Sequence, residues 1–270
     1  MRPKAYRLES FGVPYDIEVE RPRGVEVFPE AALRAVLPPA TKRRGVATPG
    51  LPRCYRFSVE DRRRVLRVDS AAPAPCPTVR AAQDALEGEL AIHVAASCPD
   101  RVFLHAGVVS FGGKALLLPG RSFAGKSTLV AALVAAGGTY YSDEYAVVDE
   151  AGLVSPYPRR LSLRREGALP RRTMPARVGR RAVPVGWVLG ARYVPGASFA
   201  PVALSQGRTA LLLLDNAVAA RIVPGRVLHA VRAIAVSAMG LESVRGDVAA
   251  AVKHLLPLLA GERRLMPAVA

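Results

Sequence analysis

An α/β fold with a mixed sheet, preceded by a small β-rich region, is what this sequence predicts, and three observations carry that expectation. The segment Gly120-Arg121-Ser122-Phe123-Ala124-Gly125-Lys126-Ser127 fits the pattern G-x-x-x-x-G-K-[ST], with an apolar run before it and an alanine- and leucine-rich run after it. A Gly112-Gly113 pair between two apolar runs marks a two-residue hairpin. Short β-type runs separated by proline- and arginine-rich segments occur within residues 1–77. The expected division is therefore residues 1–100, a β-rich region with a linking helix, and residues 101–270, an α/β domain.

Taken in order, the runs Tyr15–Val19 and Cys54–Val59 read as strands of the first region. Residues 78–97 read as a helix, with apolar Leu86, Leu90, Ile92 and Val94 among small residues. Residues 101–110 and 115–118 read as the two arms of the hairpin. If Gly112 and Gly113 form the turn, Phe111 faces Lys114, later partner numbers sum to 225, and His105 comes opposite Gly120. A one-residue slip would turn His105 to the other face. A helix is expected over Thr128–Ala136, stopped by Gly137-Gly138. The strand Thr139–Ser142 then ends in Asp143-Glu144, and Tyr145–Val148 with Leu153-Val154 forms another hairpin.

Residues 159–181 contain nine arginines against the single acid Glu166, and Pro170 and Pro175 argue for a loop rather than a helix. Such a loop would dock an acidic protein or peptide, or phosphate groups, unless it is simply a solvated arginine-rich segment. Further on, Val185–Leu189 and Arg192–Val194 read as strand, and residues 210–223 as an apolar core element. Leu228–Met239 and Asp247–Leu259 read as core-covering helices, with Arg226 and Arg245 beside them as candidate cations for a transferred phosphoryl group.

The chemistry follows from these placements. Backbone N–H groups of a glycine loop that opens a helix point at phosphate oxygens, and the helix dipole favours negative charge there. Gly120, Arg121, Ser122, Phe123, Ala124, Gly125, Lys126, Ser127 and Thr128 are thus the expected nucleotide-binding segment. Lys126 reaches the β- and γ-phosphates of ATP, and the Ser127 hydroxyl is a ligand of Mg²⁺. Thr128 stands one position too far along for the metal and belongs to the first helical turn. Asp143 and Glu144 would close a strand running parallel to the one before the loop, so that a carboxylate there can hold Mg²⁺ or accept a proton. The metal set is then Ser127 and Asp143, and the catalytic set His105, Lys126, Asp143 and Glu144. The residue types leave open which carboxylate is the base.

His105, the glycine loop with Lys126-Ser127, and the Asp143-Glu144 pair together resemble the catalytic core of HPr kinase/phosphorylase over about Val102 to Asp149. The resemblance implies a fold shared with phosphoenolpyruvate carboxykinase, binding of ATP and Mg²⁺, a site role for His105, and one acidic residue acting as proton acceptor. It implies a serine-kinase activity toward a small protein or peptide. A small-metabolite kinase and a non-catalytic nucleotide-binding regulatory protein are the alternatives. Glu144 stands where that family has Asp, and Phe123 where it has Gly.

Composition narrows the rest. The net charge is +16, yet only five of 38 basic residues are lysines, so the excess reflects a general arginine bias and does not by itself point to nucleic acid. Cys54, Cys76 and Cys98 show no paired spacing, which fits a reducing compartment. With no apolar stretch of membrane-spanning length and no signal-like start, the expectation is a cytoplasmic protein with no membrane partner. Homo-oligomerisation is left open.

Overall fold

The structure, a computed structural model, describes residues 3–20, 22, 26–45, 51–120, 125–165 and 168–261, with the side chains of residues 162–172 outside that description. Two compact units divide the chain, Met1–Pro99 and Asp100–Ala270. Both are mixed α/β, and six helices occur among the described residues.

The first unit runs β1 (Lys4–Ser10), β2 (Val13–Val19), α1 (Glu30–Val36), β3 (Lys42–Arg43), β4 (Arg53–Glu60), β5 (Arg63–Val68), β6 (Ala74–Pro75) and α2 (Val79–Ser97). Its six-stranded sheet has the order β3-β1-β2-β4-β5-β6, antiparallel except where β2 meets β4. The two expected strands are there, as β2 and β4. Thr78 caps α2 by accepting a hydrogen bond from the Ala81 N–H, which satisfies one orphan donor of the first turn. Leu86, Leu90 and Val94, each one turn apart, are buried on a single face, whereas Ile92 is exposed and is not part of that stripe.

The second unit runs β7 (Val102–Phe111), β8 (Lys114–Pro119), α3 (Lys126–Ala135), β9 (Thr139–Ser142), β10 (Tyr145–Val148), β11 (Leu153–Ser155), β12 (Leu161–Arg165) and β13 (Ala168–Thr173). It continues through β14 (Val183–Tyr193), β15 (Val202–Leu204), α4 (Gln206–Leu214), α5 (Pro224–Ser237), β16 (Met239–Arg245) and α6 (Val248–Leu259). The main sheet has the order β11-β10-β7-β8-β14-β16-β15, with β9 also paired to β7. Strands β8, β14 and β16 are mutually parallel. The hairpin register is as expected, from Phe111↔Lys114 to Ala106↔Pro119. Gly112 and Gly113 both have positive φ, 53° and 78°, as a type I′ turn requires.

Alternation along the central strands separates two cores. Leu104, Ala106, Val108 and Leu117 pack with α5, while Val109, Leu116 and Leu118 pack with α3 and α6. Each leucine so buried contributes about 1.5–3 kcal/mol, so three consecutive leucines in β8 anchor both layers.

The strand after α3 runs parallel to β8, as expected, and pairs with β7. Two expectations change. Residues 159–181, expected as a loop, contain the antiparallel ribbon β12–β13. Prolines exclude helix there but are compatible with a two-stranded ribbon, where many N–H groups have no ladder partner to lose. The helix expected over Leu228–Met239 is α5, and Met239 instead opens β16. The inward positions Leu241, Ser243 and Arg245 carry only one apolar side chain, so the period-two signal of a strand is hidden.

Candidate functional site

His105 reaches the site because β7 aims it there. His105, Gly107 and Val109 share the face that α3 covers, since Val109 packs in the α3 core and side chains alternate. A Cβ on Gly107 would meet Val130 Cγ2 at 2.6 Å, so glycine is what lets α3 lie close against β7. Two residues along, His105 emerges beyond the first turn of that helix. The Gly120 N–H donates to the His105 carbonyl at 3.2 Å, which extends the hairpin ladder to the first motif glycine.

The ring nitrogen Nδ1 of His105 lies 2.7 Å from the Gly120 carbonyl oxygen. A carbonyl only accepts, so Nδ1 carries the proton, and Nε2 keeps its lone pair. Lys126 Nζ donates to the same carbonyl and stands 3.3 Å from Nδ1, a charge contact rather than a second hydrogen bond. Burial, then the Lys126 charge, hold the imidazole below its ordinary pKa, against the opposing pull of the Gly120 carbonyl and Asp143. Lys126 is itself lowered to about 8 by burial, although Asp143 and Glu144 work the other way. The result is a neutral ring beside a half-desolvated ammonium, at the start of a helix. Such a place favours an incoming polyanion.

The carboxylates come from the edge opposite β8. A bulge at Tyr141 shifts the β7–β9 register, after which Ser142↔Val108 and Tyr145↔His105 keep one alignment through Asp143 and Glu144. The Ser142 hydroxyl accepts from the N–H groups of Glu144 and Tyr145, bending the chain between β9 and β10. Asp143 is thereby bracketed. Tyr140 Oη donates to Oδ1 at 3.1 Å, and Ser127 Oγ donates to Oδ2 at 3.3 Å. The fully buried Tyr140 hydroxyl shares that one proton with the nearer Arg159 carbonyl, at 2.8 Å, and burial raises its pKa far above the usual range. Glu144 forms an ion pair with Arg159, Oε2 to Nη1 3.6 Å. The Ser127 hydroxyl and the Asp143 carboxylate, adjacent hard oxygens, are a donor set suited to Mg²⁺ shared with a phosphate. Among the described residues there is no cluster of three or more His, Cys, Asp or Glu side chains placed to hold a metal ion.

Arg245 joins the site from the far end of β16. Its side chain is 3% exposed, and Nη2 donates to the Gly125 carbonyl at 2.7 Å. Gly125 has φ +77°, and a Cβ there would come within 2.2 Å of that guanidinium nitrogen. Conformation is what favours glycine at this position, and a side chain there would also displace the end of Arg245. Of the two arginines the sequence offered, Arg245 stands at the motif, while Arg226 is in the first turn of α5, which packs on the other face. Arg121, Ser122, Phe123 and Ala124 lie outside the described residues. So do the side chains of Arg164, Arg165, Arg171 and Arg172, on which the docking expectation rested. Thr128 lies in the first turn of α3 and is exposed. Among the described residues the structure brings together His105, Gly120, Gly125, Lys126, Ser127 and Asp143, with Glu144 next to Asp143.

No protein-family model matches this chain, and no curated protein does so. No helix among the described residues is long and apolar enough to cross a membrane.

Proposed function

We propose that this protein is an ATP-dependent kinase of the HPr-kinase type, transferring the γ-phosphate to a hydroxyl of a small protein or peptide. The observation that carries the reading is the meeting of Lys126, His105, Ser127 and Asp143 at the first turn of α3, in hydrogen-bonding or charge contact with one another or with Gly120. Helix N–H groups and Lys126 would hold the triphosphate, and Ser127 with Asp143 would hold Mg²⁺. Bound there, Mg²⁺ supplies charge neutralisation on the phosphates.

The bracketing of Asp143 supports a division of labour between the carboxylates. Asp143, held by the Ser127 hydroxyl, is the carboxylate placed for Mg²⁺, which leaves Glu144 to take the acceptor's proton. As the acceptor oxygen bonds to the γ-phosphorus, the bond to ADP breaks and the hydroxyl proton passes to Glu144. His105, neutral and proton-bearing at Nδ1, orients the Lys126 and Gly120 end of the site and offers Nε2 as an acceptor. The chemistry of the site is equally suited to a small hydroxylated metabolite, so the acceptor class is decided by assay.

The test is transfer from γ-labelled ATP to a panel of serine- and threonine-containing peptides, with a metabolite panel in parallel. Lys126→Ala should abolish transfer, and Glu144→Gln should lower kcat by about 10²–10⁴-fold with ATP still bound. Full turnover by either variant, or ATP binding with no transfer to any acceptor, overturns the kinase reading.

A further inference from the structure

Tyr193 and Arg245 are register partners at the C-terminal ends of the adjacent parallel strands β14 and β16. The guanidinium carbon of Arg245 lies 5.4 Å from the centre of the Tyr193 ring. Arg245 is buried, whereas Tyr193 is 51% exposed, so the ring has an inner side against the cation and an open outer side. The Cβ of Tyr193 lies 3.7 Å from where a Cβ on Gly125 would stand, which sets the aromatic side chain beside the entry to α3.

Its direction from the motif matters. β7 and β14 pair with opposite edges of β8, the strand that leads into the motif. His105, on β7, and Asp143, beyond it, therefore stand on one side of the motif, and Tyr193 on the other. A nucleoside triphosphate whose γ end meets Lys126, Ser127 and Asp143 must send its nucleoside away from the carboxylates. The gap behind Lys126, lined by Leu118, Leu129, Leu189 and Ala191 among others, amounts to about 10 Å³, room for one water. Among the described residues of β14, the exposed ring of Tyr193 is placed to meet a base on that side.

We infer that Tyr193 is a stacking platform for the nucleobase of the bound triphosphate, held flat by the Arg245 guanidinium on its inner face. The inference rests on the reading of a nucleotide site at Lys126. Aromatic stacking contributes to base affinity without a hydrogen-bond code, so a purine of either kind is accepted. Isothermal titration with ATP and with inorganic tripolyphosphate, each with Mg²⁺, separates the two claims. Tyr193→Ala should weaken ATP by about tenfold or more and leave tripolyphosphate within about twofold, while Tyr193→Phe and Tyr193→Trp keep ATP affinity. Unchanged ATP affinity in Tyr193→Ala, or an equal loss for both ligands, overturns the platform and makes the ring a cover for Arg245. A wild-type protein that binds neither ligand overturns the nucleotide reading itself.

Discussion

Tyr140 shows how much one hydroxyl can organise. It is 0% exposed and touches both Asp143 Oδ1 and the Arg159 carbonyl, so the phenol ties Asp143 to the segment that carries Glu144's ion-pair partner. Tyr140→Phe leaves these oxygens without that donor and should destabilise the protein by about 1 kcal/mol, read by denaturant unfolding, with a fall in kcat larger than any change in ATP affinity. In the first unit, His93 Nε2 meets the Pro14 carbonyl at 3.3 Å, and burial, mainly, holds its pKa below the ordinary 6.5. The folded state thus prefers the neutral ring, and the unfolded chain takes up the proton first. Stability is complete above about 6.5 and falls as the pH drops toward the folded value, so His93→Gln should flatten the loss of unfolding free energy between about pH 7.5 and about pH 5. Site residues were legible where local pattern carried them: His105 by counting back from a glycine turn, Lys126 and Ser127 by motif. Tyr140 was not singled out, and Arg245 could be offered only alongside Arg226, since a buried partner 120 positions away, as Arg245 is from Gly125, leaves no mark in the neighbouring sequence.

Elements differ in how strongly their own residues specify them. The β7–β8 hairpin is set by Gly112 and Gly113, both at positive φ with open space where a Cβ would go. Gly113→Ala therefore meets conformational strain alone, about 1 kcal/mol, and should lower Tm by about 2–4 °C without loss of fold. Gly125→Ala is a different case, because the new methyl collides with Arg245, and nucleotide affinity should fall in titration while the hairpin is untouched. Helices α2 and α3 were readable from apolar residues set among small ones and, for α3, from a glycine stop. β16 was not, because its inward side carries Ser243 and Arg245 in place of hydrophobic residues. The β12–β13 ribbon was missed for a related reason, since arginines and Pro170 conceal any alternation.

Across the whole molecule, each unit has its own buried interior: Tyr15, Ile17, Tyr55 and Phe57 in the first, Leu104, Leu116, Leu117 and Val130 in the second. Separate interiors predict that residues 100–270 fold when expressed alone and bind ATP within about threefold of the full chain, measured by circular dichroism and titration. The break near residue 100 was legible from composition and turn spacing, whereas α1, which with α2 makes the first unit mixed α/β, was not. The order in which the strands lie was not, because pairings such as β14 with β8 and β16 depend on tertiary packing rather than local signals.

The ladder from the Gly112–Gly113 turn to His105 and Gly120 acts as a ruler with its zero at the turn. Removing one residue from each arm would keep the strands aligned but rotate the imidazole away from α3. Removing two from each arm would restore it. The spacing between this histidine and the motif lysine can therefore drift through evolution only in increments of four, and chains of this kind should fall into discrete length classes rather than a continuum.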